Sequence, residues 1–160
     1  MSLPGCMLRI LLIEDNPADA HMLRAALEKT GMPVEITHAK DGVDALEYLA
    51  TDARFRQCDV VLLDLNLPRL TGFEVLEHIR SREELKKLPV VIMSGSANIE
   101  EIDRCYYAGA NSYICKPIHF HEILATAAGF VSYWSTCVKL PSKRWVRRTA
   151  ASYMTAAQSK

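Results

Sequence analysis

Three acidic residues and one lysine occupy comparable places along this chain. Glu14-Asp15, Asp64 and Lys116-Pro117 each follow directly on a short apolar run, LRILLI (8–13), VVLL (60–63) and SYIC (112–115), and Ser94 closes a fourth, VVIM (90–93). Carboxylates brought together repel one another, and such a cluster is tolerated where a divalent cation or a lysine neutralises it. An all-oxygen site with open positions suits Mg²⁺, which keeps several waters and takes one or two protein carboxylates. A lysine and a hydroxyl on the same rim supply donors for the equatorial oxygens of a phosphoryl group, whose transfer depends on positioning and electrostatics. Each residue alone has a plainer reading: an Asp after a strand is commonly a turn former or helix cap, Lys116 an ordinary loop residue, Ser94 part of a Ser-Gly-Ser turn. Four run ends that together supply what a phosphoryl site requires make the case for a site.

The elements between these residues must bring them together. Leu8–Ile13 reads as a strand buried on both faces, and Pro17–Lys29 as a helix with Asn16 as N-cap and Pro17 in its first position. Val34–His38 is a second strand, and Gly42–Ala50 a helix opened by Asp41. Val60–Leu63 is a third strand, Gly72–Arg82 a helix, Val90–Met93 a fourth strand, and Asn98–Tyr107 a helix stopped by Gly109. Ser112–Cys115 is a fifth strand, and a long helix is expected from about His119 to about Cys137. Strict alternation of short apolar strands and amphipathic helices calls for a doubly wound α/β fold, a parallel sheet with helices on both faces. Ligands of such sheets bind outside the carboxyl ends of the strands, where the four groups lie.

Composition narrows the alternatives. The chain has 160 residues, 49% apolar and 24% charged, an ordinary globular balance for one domain with an appendage. Its most apolar long stretch, Ile123–Trp134, has twelve residues, too few to span a membrane. No basic region precedes an apolar one at the N-terminus, and five cysteines (Cys6, Cys58, Cys105, Cys115, Cys137) form no CxxC pair. A reduced, cytoplasmic protein is expected. His119-x-His121 has no second cluster to complete a zinc site. The net charge of zero conceals an asymmetry. Residues 129–160 carry six bases and no acid, whereas residues 1–128 carry thirteen bases and all nineteen acids.

The segments LLIEDNPAD (11–19), VLLDLNLPRLTGFEVL (61–76), VVIMSGS (90–96) and AGANSYICKP (108–117) together resemble the response-regulator receiver domains of bacterial two-component signalling. The resemblance covers residues 7–138 and leaves 139–160 as a basic C-terminal extension. It implies a flavodoxin-like (βα)5 fold with strand order 2-1-3-4-5. It also implies that Asp64 accepts a phosphoryl group from a histidine kinase. Glu14, Asp15, Asp64 and the Asn66 backbone carbonyl would bind Mg²⁺, and Lys116 would contact the phosphoryl group through a loop with a cis peptide before Pro117. Ser94 and Tyr113 would form the switch. Glu14 and Ser94 stand where many relatives have Asp and Thr, and the methyl missing at Ser94 is expected to loosen its coupling to Tyr113. The wording DLNLPR and the segment SYWSTCVKLPS (132–142) further resemble the single-domain response regulators of bacterial phytochrome kinases, which act as homodimers.

Phosphorylation would place roughly −1.5 to −2 charges at Asp64, draw Ser94 inward and free space for Tyr113. The responding face would be the fourth helix, the fifth strand and the last helix, and a homodimer through it is expected. Phe120, Leu124, Val131 and Trp134 fit one side of the last helix, leaving Phe130, Tyr133 and Val138 for a partner or for the tail. Arg144, Trp145, Arg147 and Arg148 interleave charge with an aromatic ring, but no recognition helix follows, so a nucleic-acid partner is not expected. Docking of the tail on the acidic body, within the chain or between subunits, is at least as good a reading. Two other classes are weighed. An aspartate-nucleophile phosphatase resembles a DxD arrangement in which the second acid protonates the leaving group, and Asn66 cannot do this. A flavin mononucleotide binder would need a Gly/Ser/Thr-rich phosphate loop after the first strand, where this chain has Glu14-Asp15. Slow self-dephosphorylation, rather than enzymatic turnover, is expected, with a phosphorylation-independent binding module as a further alternative.

Overall fold

The computed structural model describes residues 7–141. The five strands are β1 (Leu8–Ile13), β2 (Val34–Ala39), β3 (Val60–Leu63), β4 (Val90–Ser94) and β5 (Ser112–Cys115). They form one parallel sheet in the order β2-β1-β3-β4-β5. The helices are α1 (Pro17–Glu28), α2 (Gly42–Ala50), α3 (Asp52–Phe55), α4 (Gly72–Ser81), α5 (Ile99–Tyr107) and α6 (Phe120–Ser132), the last running into a π-helical turn, Tyr133–Cys137.

The two-residue period of the strands divides the core into two layers. Leu11, Ile13, Val61, Leu63, Val90 and Ile92 pack against Ala45 and Leu49 of α2, Val75, Leu76 and Ile79 of α4, and Cys105 of α5. Leu8, Ile10, Leu12, Val60, Leu62, Val91 and Met93 face α1 and α6 on the other side. Each fully buried Leu or Ile contributes roughly 1.5–3 kcal/mol, so the strands are held from both faces and their ends are fixed.

Helix starts are equally well specified. Asn16 Oδ1 accepts from the Ala18 and Asp19 amides, Asp41 from Asp44, and Asn98 from Glu100, while Thr71 and Glu74 form a reciprocal capping box. Each cap contributes about 1 kcal/mol, and all four sit at the carboxyl edge of the sheet, so the loops there are short and anchored at both ends.

The last helix differs from its expected form. It stops at Ser132, where the Thr136 hydroxyl donates to the Ser132 carbonyl at 2.6 Å and the Val138 amide to Tyr133 at 3.1 Å, widening the turn. Its buried stripe is Ile123, Ala127, Phe130, Val131 and Trp134. Phe130 therefore belongs to the core, and Phe120, one turn before Ile123, is half exposed. The single turn α3 has no counterpart in the sequence reading, because four residues carry no helical period. It is held by the Arg54 and Phe55 amides on the Thr51 carbonyl. Cys58 and Cys105 are buried, Cys115 and Cys137 exposed. Among the described residues no helix is long and apolar enough to cross a membrane. Cys6 and the basic residues from Lys143 onward lie outside the described residues.

Candidate functional site

Parallel strands of matched register deliver Glu14, Asp64, Ser94 and Lys116 to one edge. The Asp64 amide donates to the Ile13 carbonyl at 3.0 Å and the Lys116 amide to the Ser94 carbonyl at 2.7 Å, so neighbouring strands fix each loop at its root. Asp64 and Glu14 are only 5% and 2% exposed, and Ser94 is wholly buried. Asp15 is exposed at the mouth. Ligand oxygens of Glu14, Asp15 and Asp64 all lie within 4.8 Å of one another.

Lys116 is the centre of the cluster. Its Nζ lies 2.6 Å from Glu14 Oε2, 2.6 Å from Asp64 Oδ2 and 3.4 Å from Asp19 Oδ2. Burial by itself would lower the ammonium pKa, but the hydrogen bonds and charges of Asp64 and Glu14 override it and hold Lys116 above the ordinary lysine value. Burial pushes the Glu14 carboxyl above the usual carboxylate range, against the Lys116 and Asn16 contacts that oppose the shift. The remaining oxygens accept backbone donors, Glu14 Oε1 from the Asn16 amide at 3.1 Å and Asp64 Oδ1 from the Asn66 amide at 3.0 Å.

The peptide before Pro117 is trans, since no cis bond occurs among the described residues. This corrects the expected cis linkage. The trans form, favoured by about 0.5–1 kcal/mol for X–Pro bonds, already allows both the Lys116 amide contact and the two ammonium contacts.

The loop from Asp64 to α4 is tightly drawn. A Cβ on Gly72 would lie 2.0 Å from the Asp64 carbonyl oxygen, and one on Gly42 would lie 2.7 Å from the Leu70 carbonyl oxygen. Only glycine admits these approaches. Arg69 takes a left-handed φ of 64° and pairs with the Asp41 carboxylate, the N-cap of α2. The Asp44 amide, together with the Arg69 guanidinium, holds the Asp41 carboxyl below its usual range.

Tyr113 lies on β5 behind Ser94. Its hydroxyl is 2.9 Å from both the Ser96 carbonyl and Glu101 Oε1, and its single proton is shared between these acceptors. Burial, with the Glu101 carboxylate beside it, pushes the Tyr113 phenol up to about 12. Ser94 Oγ accepts from the Ser96 amide at 3.4 Å.

Glu14, Asp15, Asp64, Asn66, Ser94 and Lys116, expected from the sequence, all lie at one edge, with Tyr113 one layer behind. Asp19 and Glu101 join them without having stood out in the sequence. An acid one helical turn beyond Asp15, and one two turns before Ala108, were the available signals, but both patterns also describe ordinary helix-start acids.

An edge with three clustered carboxylates, a half-buried lysine and a buried hydroxyl on a 2-1-3-4-5 parallel sheet defines a receiver. The family model described as "Response regulator receiver domain" matches residues 10–128, and the chain belongs to that family. It is 38% identical to the probable methanogenesis regulatory protein FilR2 of Methanothrix harundinacea over 127 residues, 78% of this chain and 82% of that protein. It is 31% identical to the response regulator Rcp1 of Synechocystis sp. over 136 residues, 83% of this chain and 92% of Rcp1. The Mn²⁺-bound form of Rcp1 aligns with a TM-score of 0.76 at 30% identity, covering 84% of this chain and 99% of that one. The phosphorylated cyanobacterial phytochrome response regulator RcpA aligns with a TM-score of 0.79 at 36% identity, covering 86% and 100%.

The donor set fits a hard divalent cation. All ligating atoms are oxygens, two carboxylates are buried, and the exposed third leaves one side open for water, as Mg²⁺ requires.

Proposed function

We propose that this chain is a response regulator whose Asp64 accepts a phosphoryl group from a sensor histidine kinase in a Mg²⁺-dependent phosphorelay. The observation that carries the reading is the Lys116 ammonium at 2.6 Å from both Asp64 and Glu14 within a three-carboxylate cluster. An Asp64 carboxylate oxygen attacks the phosphorus of a phosphohistidine. A P–O bond forms, the P–N bond breaks, and its electron pair leaves on the imidazole nitrogen. Glu14, Asp15, Asp64 and the Asn66 backbone carbonyl would hold Mg²⁺, which supplies charge neutralisation for the incoming phosphoryl oxygens. Lys116 pairs with one of those oxygens and Ser94 donates to another. Ser94 is buried beneath the site, so its turn toward the phosphoryl group shifts the 94–98 loop and alters the packing around Tyr113.

Receiver function is assigned to residues 7–138, with 139–160 as a separate basic extension and the cytoplasm as the compartment. The likeness to RcpA, a phytochrome response regulator, favours a phytochrome-type kinase as donor. A homodimer through α5, β5 and α6 is supported by apolar side chains left in solvent there: Ile99, Tyr106, Tyr107 (97% exposed) and Tyr133. Neither nucleic acid nor membrane is assigned as a partner.

Incubation with acetyl phosphate and Mg²⁺, read by intact mass, tests the phosphoacceptor. One phosphoryl group should be found on the wild type and none on Asp64→Asn. Sedimentation at micromolar concentration with a phosphoryl mimic should show a dimer, and a monomer would remove the dimer from the account. Turnover of a phosphatase substrate far beyond one equivalent would instead favour the enzyme reading, against which Asn66 stands.

A further inference from the structure

All four oxygens of the two buried carboxylates are already engaged. Glu14 Oε2 and Asp64 Oδ2 each hold the Lys116 ammonium at 2.6 Å, and their other oxygens accept the Asn16 and Asn66 amides. Each oxygen keeps a second lone pair for a divalent cation, but such a cation would share the same two negative charges with Lys116. Two cations crowded on one carboxylate edge repel each other, and a half-buried ammonium pushed off both acids would lack a counter-charge.

Asp19 resolves the conflict. It lies in the first turn of α1, its Oδ2 is 3.4 Å from Lys116 Nζ, and its side chain makes no other hydrogen bond or ion pair among the described residues. It does not belong to the three-carboxylate group. A cavity of about 70 Å³, lined by Glu14, Asp19, Met22, Met93, Lys116 and Thr126 among others, opens beside both groups. The ammonium has room to move toward Asp19 without displacing a packed side chain.

We propose that Asp19 is a positioning residue that retains the Lys116 ammonium when Mg²⁺ occupies Glu14 and Asp64. The lysine then stays beside the reacting oxygens instead of competing with the metal. This rests on the phosphoacceptor reading of Asp64 and names a residue that acts through Lys116 rather than on the phosphoryl group itself.

The test uses the full chain and Mn²⁺ alone as probe, with free ion counted by electron paramagnetic resonance. Asp19→Asn should weaken Mn²⁺ binding about five- to tenfold in the wild-type background and by less than about twofold when Lys116→Met is also present, a coupling of ordinary size for residues in contact. Asp19→Glu should restore binding. At saturating Mg²⁺, acetyl phosphate labelling should slow several-fold in Asp19→Asn and recover in Asp19→Glu. An equal loss of Mn²⁺ affinity in both backgrounds would show that Asp19 acts on the metal as a nearby charge, and would overturn the proposal. So would full Mn²⁺ affinity in the single Asn variant. If the wild type took no label, the phosphoacceptor reading would fail, and the Mn²⁺ comparison would still decide the role of Asp19. Melting temperatures of the four metal-free variants identify any loss that is merely structural, since that loss would appear in both backgrounds.

Discussion

At the carboxyl edge of the sheet, the Lys116 ammonium lies among Glu14, Asp19 and Asp64, with Asp15 close by. At the amino edge, the Arg80 guanidinium is also drawn into the protein but meets no carboxylate among the described residues. Its Nε donates to the Gly109 carbonyl at 2.8 Å, its two terminal nitrogens to the Leu88 carbonyl at 2.9 Å and Asn111 Oδ1 at 2.8 Å. The Asn111 side chain in turn accepts the Val90 amide. Burial lowers the Arg80 pKa, whereas the acids around Lys116 reverse the same effect. One cation donates to three neutral acceptors and brings no surplus of acid with it. The other is outnumbered by acids and leaves charge for a further cation to neutralise. A buried charge that only braces loops needs no such surplus, so the surplus marks the edge where chemistry is proposed.

The comparison breaks most sharply at Lys116. Lys116→Met keeps the stem and removes the charge, and acetyl phosphate labelling at saturating Mg²⁺ should slow on the order of 100-fold. A rate near that of the wild type would make Lys116 a brace like Arg80. Arg80→Met should show the opposite pattern. The Gly109 and Leu88 carbonyls and Asn111 Oδ1 each lose a donor, and urea unfolding should report a loss of about 2–4 kcal/mol, with the labelling rate of the folded protein unchanged. A selective loss of labelling would put both cations in the site.

A smaller effect separates paired acid from surplus acid on the same edge. Asp41, held below its ordinary value of about 3.8 by the Asp44 amide and by Arg69, contributes stability present above that value and lost as pH falls below it. Asn also caps helices well, so Asp41→Asn isolates the charge. Its unfolding free energy should fall less steeply than that of the wild type below about pH 3.8. Parallel curves would show that Asp41 contributes nothing through its charge.

Much of this arrangement was legible in the residues. Apolar runs of four to six residues specify strands buried on both faces, and strict alternation with helices specifies a parallel sheet. The convergence of Glu14, Asp64, Ser94 and Lys116 then follows from their places at strand ends. What was not legible depends on contacts between distant segments. Phe120 fits the stripe of Leu124, Val131 and Trp134 in the sequence, and only the packed structure shows that Phe130 is buried and Phe120 half exposed. The π-helical turn rests on the Val138 amide and the Thr136 hydroxyl, which leave no mark in the apolar period. Arg80 resembles any basic residue in the last turn of a helix, and its acceptors come from the chain ahead of β4 and β5. Asp19 reads as an ordinary helix-start acid, and its partner lies 97 residues further along.

The central claim is that the acid-rich edge receives a phosphoryl group on Asp64. Intact mass after incubation with acetyl phosphate and Mg²⁺ tests it most directly. The account expects one phosphoryl group on the wild type, none without Mg²⁺ and none on Asp64→Asn. An adduct that persists on Asp64→Asn, or a wild type that takes none, would contradict it.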